Sequence, residues 1–288
     1  MPKSYQKFYI LGLLALVWGS SFILIKKGLL GLSPYQLGAL RIIFAGSFIL
    51  IIGFKSLSKI SQRQWKYLLI TSMLGTFIPV FLFSVAQTEI SSSISAILNS
   101  LTPLNTLLIG ILLFAIDFQR RQIIGVIIGF LGSLLLVLNG ASNHPDHNYY
   151  YAILLIIASF CYATNVNFLN KYLNDLSPMS ITAGSFVILM TPALIVLYFS
   201  GFWDVYSLES TTTALPYILI LGIVGTGIAN VLFFRLIQMS SPIFASSVTY
   251  LIPVVAFMWG ILDNESLTLI QGLGALIVLV GVYLSAKR

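Results

Sequence analysis

Polar side chains recur along one face of the apolar stretch between about residues 92 and 116. Ser95, Asn99, Thr102 and Thr106 follow one another at helical spacing, which lines them up on one side of an α-helix. A polar stripe is costly against hydrocarbon, so it must face protein or water. Interhelical packing by small polar residues is the alternative. Because Asn99 lies near the middle of the stretch, we interpret this face as the wall of a polar cavity.

Two further stretches carry an aromatic residue next to short polar ones. Tyr162 and Asn165 lie in one of them, and Trp18 and Ser21 lie in the other. A ring and a hydrogen-bonding group from each would suit a small polar solute. Ordinary helix packing is the competing interpretation for these residues and for the remaining candidates, which are Thr226, Asn230, Thr249 and Tyr250.

The chemistry of catalysis is missing from the apolar stretches. No Asp, Glu or His lies near the centre of any of them, and no paired carboxylates, Ser with His, or zinc motif can be placed there. We therefore expect no enzyme, no cofactor and no proton relay within the membrane. This favours facilitated diffusion or coupling through acids at the boundary. The run of residues 144–147, with two His and one Asp, is interpreted as a solvated linker, and no metal site is expected.

Composition places the chain in lipid. Of its 288 residues 58% are hydrophobic and 8% charged, which is too little polar surface to cover a water-soluble globule of this size. A helix needs about 20 apolar residues to cross a bilayer. Ten segments, numbered in chain order, lie at about 8–26, 34–54, 67–88, 92–116, 122–139, 149–170, 180–200, 214–237, 242–262 and 268–285. The sequence predicts an all-α membrane protein with ten transmembrane helices.

Basic residues predict the orientation. An even number of spans puts both termini on one face, and most of the 15 basic residues fall on that face. The other face holds Lys26 and Lys27, and Arg41 lies inside segment 2. The basic face is the cytoplasm by the positive-inside rule, so both termini are expected there. The net charge of +7 is then a topology signal, and no nucleic-acid partner is expected.

The two halves of the chain resemble each other. At one constant offset Trp18, Ser21 and Leu32-Ser33-Pro34 align with Tyr162, Asn165 and Leu176-Ser177-Pro178, and at a slightly wider one Gly75-Thr76 and Leu82-Phe83 align with Gly225-Thr226 and Leu232-Phe233. Each copy holds five segments, an odd number, so the second copy must be inverted. Equivalent connections carry opposite charge, as inversion requires. We predict repeats at residues 1–141 and 148–288.

Several short strings together resemble one family. They are Trp18-Gly19-Ser20-Ser21-Phe22, Arg41 with Ala45, Ser100-Leu101-Thr102-Pro103, and Pro253 followed by Glu265. In this order and spacing the chain resembles, over its whole length, the ten-helix EamA-type members of the drug/metabolite transporter superfamily. One departure is Asp117, where such proteins often have Glu.

The resemblance implies two inverted five-helix repeats around a central cavity, lined mainly by segments 1, 3, 4, 6, 8 and 9. It also implies export of small metabolites, amino acids among them, at a bacterial-type inner membrane. Uptake, or a facilitative carrier or channel for another small solute, is the alternative. The expected partners are a small-molecule substrate and membrane lipid, and a homodimer remains an open possibility.

The sequence also offers one charged residue inside a segment and several residues at which helices could bend. Arg41 is interpreted as a structural charge that either donates hydrogen bonds to carbonyls or pairs with Glu89 at the end of segment 3, and binding of an anionic group of the substrate is the alternative. Alternating access requires flexible points in segments 3, 4, 8 and 9. The candidates are Gly75, Pro79, Pro103, Gly225, Gly227 and Pro253.

Overall fold

The computed structural model describes residues 3–114, 119–143, 148–240, 242–246, 248–265 and 268–286, and these contain helices and no β-strand. Asp117 and the linker at 144–147 lie outside the described residues. The helices are α1 (Lys3–Gly28), α2 (Pro34–Gly53), α3 (Gln62–Ser72), α4 (Ile78–Ala86), α5 (Ser92–Asn99), α6 (Thr102–Phe114), α7 (Arg120–Asn143), α8 (Ala152–Tyr172), α9 (Pro178–Phe199), α10 (Phe202–Val205), α11 (Glu209–Gly222), α12 (Ala229–Met239), α13 (Pro242–Ser246), α14 (Val248–Leu262) and α15 (Leu269–Ala286).

Within the described residues, eight helical segments, some of them made of two successive helices, are long and apolar enough to cross a membrane. They correspond to segments 1–4 and 6–9 of the sequence. Segments 5 and 10 correspond to α7 and α15, and the described apolar part of α15, Leu269–Gly281, is shorter than a span. The all-helical membrane architecture is therefore confirmed, while the number of ten transmembrane helices stays a prediction.

The repeated triplet Leu-Ser-Pro starts two equivalent helices in the same way. Ser33 caps α2 by accepting a hydrogen bond from the N–H of Gln36 at 3.3 Å, and Ser177 caps α9 by accepting one from Ser180 at 3.1 Å. In both helices the proline follows the cap, where its missing N–H costs nothing. The two helices pack together, since a Cβ on Gly53 of α2 would lie 2.7 Å from the sulfur of Met179 in α9.

Segments 3 and 8 are each interrupted by a π-helical turn. One spans Met73–Phe77, between α3 and α4, and the other spans Ile223–Ile228, between α11 and α12. The aligned dipeptides Gly75-Thr76 and Gly225-Thr226 lie in these turns. In the first turn Pro79 contributes, because it has no N–H to bond the carbonyl of Gly75. The second turn forms without a proline at the equivalent position, which is Ala229.

The two predicted proline distortions differ. Segment 4 is broken between α5 and α6, and Pro103 is the second residue of α6, where a proline fits the helix. Pro253 lies inside α14 and does not end it. Residue 247, between α13 and α14, lies outside the described residues.

Helices α7 and α15 are in close backbone contact. A Cβ added to Gly281 would lie 2.6 Å from the carbonyl oxygen of Gly125 and 2.7 Å from the Cα of Gly129. Only glycine permits this approach, because any side chain would separate the two backbones. The small residues of segment 5 thus seat a helix of the same chain.

Candidate functional site

A cavity lies among nine helices and the two π-helical turns, and the helices are α1, α2, α4, α5, α6, α8, α12, α13 and α14. It encloses about 900 Å³ of space not occupied by atoms, part of it open to solvent. Its lining includes these residues singled out in the sequence: Trp18, Ser21, Asn99, Thr102, Tyr162, Asn165, Thr226, Asn230 and Thr249. Tyr250 is not among the lining residues and packs against the hydrophobic core instead. The glycines Gly75 and Gly225 also line the cavity.

The polar stripe of segment 4 divides between two tasks. Asn99 and Thr102 line the cavity, whereas the carbonyl of Thr106 accepts a hydrogen bond from the side chain of Asn167 at 3.1 Å, in the contact between α6 and α8. Packing and cavity wall were alternatives for the stripe as a whole. In the structure the middle of the stripe lines the cavity and Thr106 at its end packs against α8, while Ser95 at the other end is buried outside the lining.

Sequence reasoning missed Thr76 and most of the apolar wall. The internal repeat holds a signal for part of this set, since Thr76 and Phe83 align with Thr226 and Phe233. The apolar lining residues that were not singled out are Phe22, Ile25, Val80, Phe83, Val166, Phe233, Phe234, Val248 and Ile252. These rings and aliphatic groups give the cavity a largely apolar surface with polar groups placed among them, as small-molecule sites have.

Equivalent residues of the two halves exchange contacts across the cavity. The ring of Trp18 meets that of Phe233 at 5.0 Å between centroids, and the ring of Tyr162 meets that of Phe83 at 6.0 Å. Trp18 aligns with Tyr162, and Phe233 aligns with Phe83. Each half thus places its first aromatic residue against an aromatic residue of the other half.

The glycines of the π-helical turns repeat this exchange. A Cβ on Gly225 would lie 3.0 Å from the hydroxyl of Ser21, and one on Gly75 would collide with the amide of Asn165. Ser21 and Asn165 are again aligned residues from opposite halves. In addition, Trp18 Nε1 donates a hydrogen bond to the carbonyl of Gly225 at 3.0 Å. The π-helical turn leaves this carbonyl able to accept from a side chain.

Arg41 is buried at the cavity wall. Its side chain is bonded to the second π-helical turn, where Nε donates to the hydroxyl of Thr226 at 2.6 Å. The ion pair expected with Glu89 is not found among the described ion pairs, and the carboxylate of Glu89 accepts a hydrogen bond from the backbone N–H of Asn148 at 2.9 Å. Packing of α2 against the π-helical turn brings Arg41 to Thr226 instead.

Two amides of the cavity wall keep acceptors without a partner. The side-chain carbonyl oxygens of Asn99 and Asn165 are buried and have no hydrogen-bond donor within reach. An unpaired buried polar group costs about 1–3 kcal/mol. Since both residues line the cavity, a bound solute or water can supply the missing donors.

A cluster of charges joins α1, α5 and the loop after α14, and we call it the ionic cluster. Lys26 pairs with Asp263 at 2.7 Å and with Glu265 at 3.0 Å, and Lys27 pairs with Asp263. Hydrogen bonds from both lysines hold the pKa of Asp263 below its ordinary value. Ile25 is the last residue of α1 in the cavity lining, and Lys26 and Lys27 follow it, so the cluster lies beyond the lining towards the C-terminal end of α1.

The carboxylate of Glu265 caps the start of α5. It accepts hydrogen bonds from the backbone N–H and the hydroxyl of Ser92, at 3.2 and 2.5 Å, and from those of Ser93, at 3.2 and 2.6 Å. Burial raises the pKa of Glu265, but the hydrogen bonds from Ser92, Ser93 and Lys26 outweigh it and leave the pKa below its ordinary value. The carboxylate stays ionised at neutral pH, and its negative charge interacts favourably with the positive end of the helix dipole at the N-terminus of α5.

Comparison with known proteins adds a family and several relatives. The model of the EamA-like transporter family matches residues 6–138 and, separately, residues 150–287. An uncharacterized transporter of Archaeoglobus fulgidus is 24% identical, with 97% of this chain and 96% of the relative covered. The uncharacterized inner membrane transporter YedA of Escherichia coli K12 is 28% identical, with 94% and 87% covered.

Two further matches bear on activity and fold. A probable amino-acid metabolite efflux pump of Salmonella typhimurium is 25% identical, with 95% of this chain and 92% of the relative covered. A crystal structure with 13% sequence identity superposes with a TM-score of 0.68, covering 98% of this chain and 96% of the other. At that identity the second match supports the fold alone.

Proposed function

The chain belongs to the EamA-like transporter family, and we propose that it is a secondary transporter that exports a small organic metabolite, such as an amino acid, by alternating access. It is a membrane transporter with inner-membrane relatives. The observation that carries the proposal is the cavity whose wall is built from equivalent residues of both halves. A site shared between two halves can be exposed to either side of the membrane when the halves move.

The exchanged contacts support two inverted repeats. Trp18 and Tyr162 each contact an aligned partner from the other half, and the aligned glycines Gly75 and Gly225 do the same. Such reciprocity is what a twofold relation between the halves produces. The family model also matches each half separately. With five segments in each half and opposite charge bias in equivalent connections, we propose that the second half is inverted relative to the first and that the chain crosses the membrane ten times.

Alternating access requires each end of the cavity to open and close. The ionic cluster ties α1 to α5 and to the loop after α14, and we propose that these contacts close the end of the cavity nearest to the cluster. These elements come from both halves of the chain. Opening that end requires the pairs to separate, and the π-helical turns next to the cavity are places where segments 3 and 8 can change their bend.

The chemistry of the cavity suits an amino acid or a similar solute. Polar groups lie among aromatic rings, so a solute with a polar head and an apolar remainder can satisfy both. The relative from Salmonella typhimurium is described as a probable amino-acid metabolite efflux pump. Export by this chain is proposed on that likeness.

Counterflow in liposomes tests transport. Vesicles containing the purified protein are loaded with an unlabelled metabolite and diluted into a solution of the same metabolite in labelled form, and uptake of the label is measured. A panel of amino acids and related metabolites is screened in this way. We expect counterflow for some of them without an imposed pH gradient, and a strong reduction by Trp18→Ala. Trp203→Ala is the matched control, because Trp203 is exposed and lies outside the lining. A folded protein that shows no counterflow across the panel contradicts the proposal.

The inversion has its own test. Ser58 and Ser207 lie in equivalent connections of the two halves, and both are exposed. After Cys161, the single cysteine, is replaced by serine, single cysteines at these two positions are labelled with a membrane-impermeant maleimide in intact cells. We expect only Ser207→Cys to react from the outside. Labelling of both from one face would refute the inverted arrangement.

A further inference from the structure

The cavity wall carries one charge, and its place in the wall indicates what it binds. Among the lining residues of the described chain, Arg41 alone is ionised at neutral pH. Arg41 is 8% exposed, so its guanidinium is largely shielded from bulk water. A buried cation without a counter-ion is unfavourable by several kcal/mol, and more so in a membrane protein.

The contacts of Arg41 hold its side chain in place without neutralising it. Nε donates to the hydroxyl of Thr226, a neutral group, and the described ion pairs all involve Lys26 or Lys27. The hydroxyl of Thr226 in turn donates to the carbonyl of Leu221 at 3.0 Å. Thr226 is thereby oriented as an acceptor for Nε, and one edge of the guanidinium is fixed. The other nitrogens remain able to donate to a ligand.

The positive charge of Arg41 has no counterpart in the second half of the chain. By the offset that aligns Ser33-Pro34 with Ser177-Pro178, the position equivalent to Arg41 is Ser185, a buried residue outside the cavity lining. The position equivalent to Thr226 is Thr76, whose hydroxyl is approached by the amide of Asn230 at 3.5 Å. The two halves of the cavity wall therefore differ in charge by one positive unit, which gives the cavity an electrostatic polarity that a symmetric site would not have.

We infer that Arg41 binds a carboxylate of the transported solute, so that the substrate is a small carboxylic acid or amino acid. The inference rests on the proposed function and names the substrate class of its cavity. A guanidinium binds a carboxylate through paired hydrogen bonds that combine with opposite charge. One cation matches one carboxylate, whereas the two negative charges of a phosphate monoester would be left half neutralised.

The remaining cavity groups fit the rest of such a solute. The amide oxygens of Asn99 and Asn165 lack donors, and an ammonium or hydroxyl group of the solute supplies them. Trp18 and Tyr162, with their partner rings, form the aromatic part of the wall. The carboxylate is therefore recognised by charge, the donor group by amides, and the apolar remainder by rings.

The test compares a carboxylate with its uncharged isostere. For a metabolite that shows counterflow, inhibition by 3-phenylpropanoate is measured against inhibition by 3-phenylpropanamide. Thermal stabilisation of the purified protein by the same two compounds is measured in parallel. In the wild type we expect the acid to act at about 10- to 100-fold lower concentration than the amide, the range expected for one charge-assisted contact.

Variants assign the preference to Arg41. The ratio of the effective concentration of the amide to that of the acid should fall to about one in Arg41→Gln. It should recover in part in Arg41→Lys, which restores the charge but not the paired hydrogen bonds. Ser185→Ala, at the equivalent position, should keep the wild-type ratio. An equal response of the wild type to acid and amide overturns the inference, and so does a preference that survives in a folded Arg41→Gln protein.

The two proposals fail separately. Selective stabilisation by the acid without any counterflow contradicts transport and leaves the carboxylate site standing. Counterflow without preference for the acid contradicts the carboxylate site and leaves transport standing.

Discussion

Neutralising Glu265 should open one end of the cavity. Its side chain is 4% exposed, and its carboxylate holds Ser92, Ser93 and Lys26 together. Glu265→Gln keeps the length and shape of the side chain. However, one oxygen becomes an NH2 group that cannot accept, so the N–H and hydroxyl donors of one serine lose their partner, and the attraction to Lys26 loses its charge.

The size of the effect follows from these contacts. Breaking a buried ion pair by removing one partner costs about 3–5 kcal/mol. The lower end applies here, because the side chain of Lys26 is 36% exposed and keeps Asp263 at 2.7 Å. A loss of about 3 kcal/mol for the closed conformation corresponds to about a 150-fold change in the ratio of closed to open molecules.

Labelling of a cavity residue measures this ratio. In a background with Cys161→Ser, Ser21→Cys places a thiol of similar size on the cavity wall. While opening is rare, the rate of reaction with an impermeant maleimide from the cluster side is proportional to the open fraction. We expect Glu265→Gln to raise this rate by about 100-fold. Glu209→Gln, the same change at an exposed site, should leave it unaltered.

Thermal unfolding of both variants shows whether the fold has survived. A folded Glu265→Gln protein that labels at the wild-type rate would refute the reasoning, because the cluster would then not control access.

Three more outcomes are expected. Since the pKa of Glu265 is lowered in the folded protein, its stabilising contacts are complete above about pH 5 and are lost as the pH falls through the lowered pKa. The maleimide labelling rate of Ser21→Cys, divided by that of the exposed Ser207→Cys because the reactive thiolate fraction falls with pH, should therefore rise only in acid. Gly75→Ala should lower the free energy of unfolding by about 1–3 kcal/mol, because the added methyl group overpacks against the amide of Asn165. The loss should be larger than in Gly225→Ala, where the nearest atom, the hydroxyl of Ser21, lies at 3.0 Å, and thermal unfolding of the two variants measures the difference. Trp18→Phe removes the hydrogen bond to the carbonyl of Gly225 but keeps a ring, so it should lower thermal stability by about 1 kcal/mol and weaken counterflow less than Trp18→Ala does.

Local patterns were sufficient for the helices. Apolar length marked the spanning helices, and the triplet Leu-Ser-Pro, which had served to align the two halves, caps the starts of α2 and α9. These features depend on neighbours within a few residues, because a helix in lipid must satisfy its backbone hydrogen bonds internally. Spacing also grouped Asn99 with Thr102, and the repeat paired Trp18 with Tyr162, and the structure brings all four to one cavity.

Partners distant in sequence could not be read from such patterns. The sequence suggested Glu89 for Arg41, but the guanidinium is bonded to Thr226 across 185 positions. Lys26 served only as an orientation signal, and its bond to Glu265 spans 239 positions. Tyr250 was predicted to line the cavity because it is an aromatic residue with a polar group, but it packs against the hydrophobic core.

Composition and periodicity therefore established a helical membrane protein with two similar halves, because each helix satisfies its own backbone and each repeat is visible as aligned residues. Which charges meet, which amides lack donors and which residues line the cavity depended on how the helices pack. The physical reason is that a side-chain contact is set by the crossing of two helices, and a shift of one turn, about 5.4 Å, would exchange its partner for another.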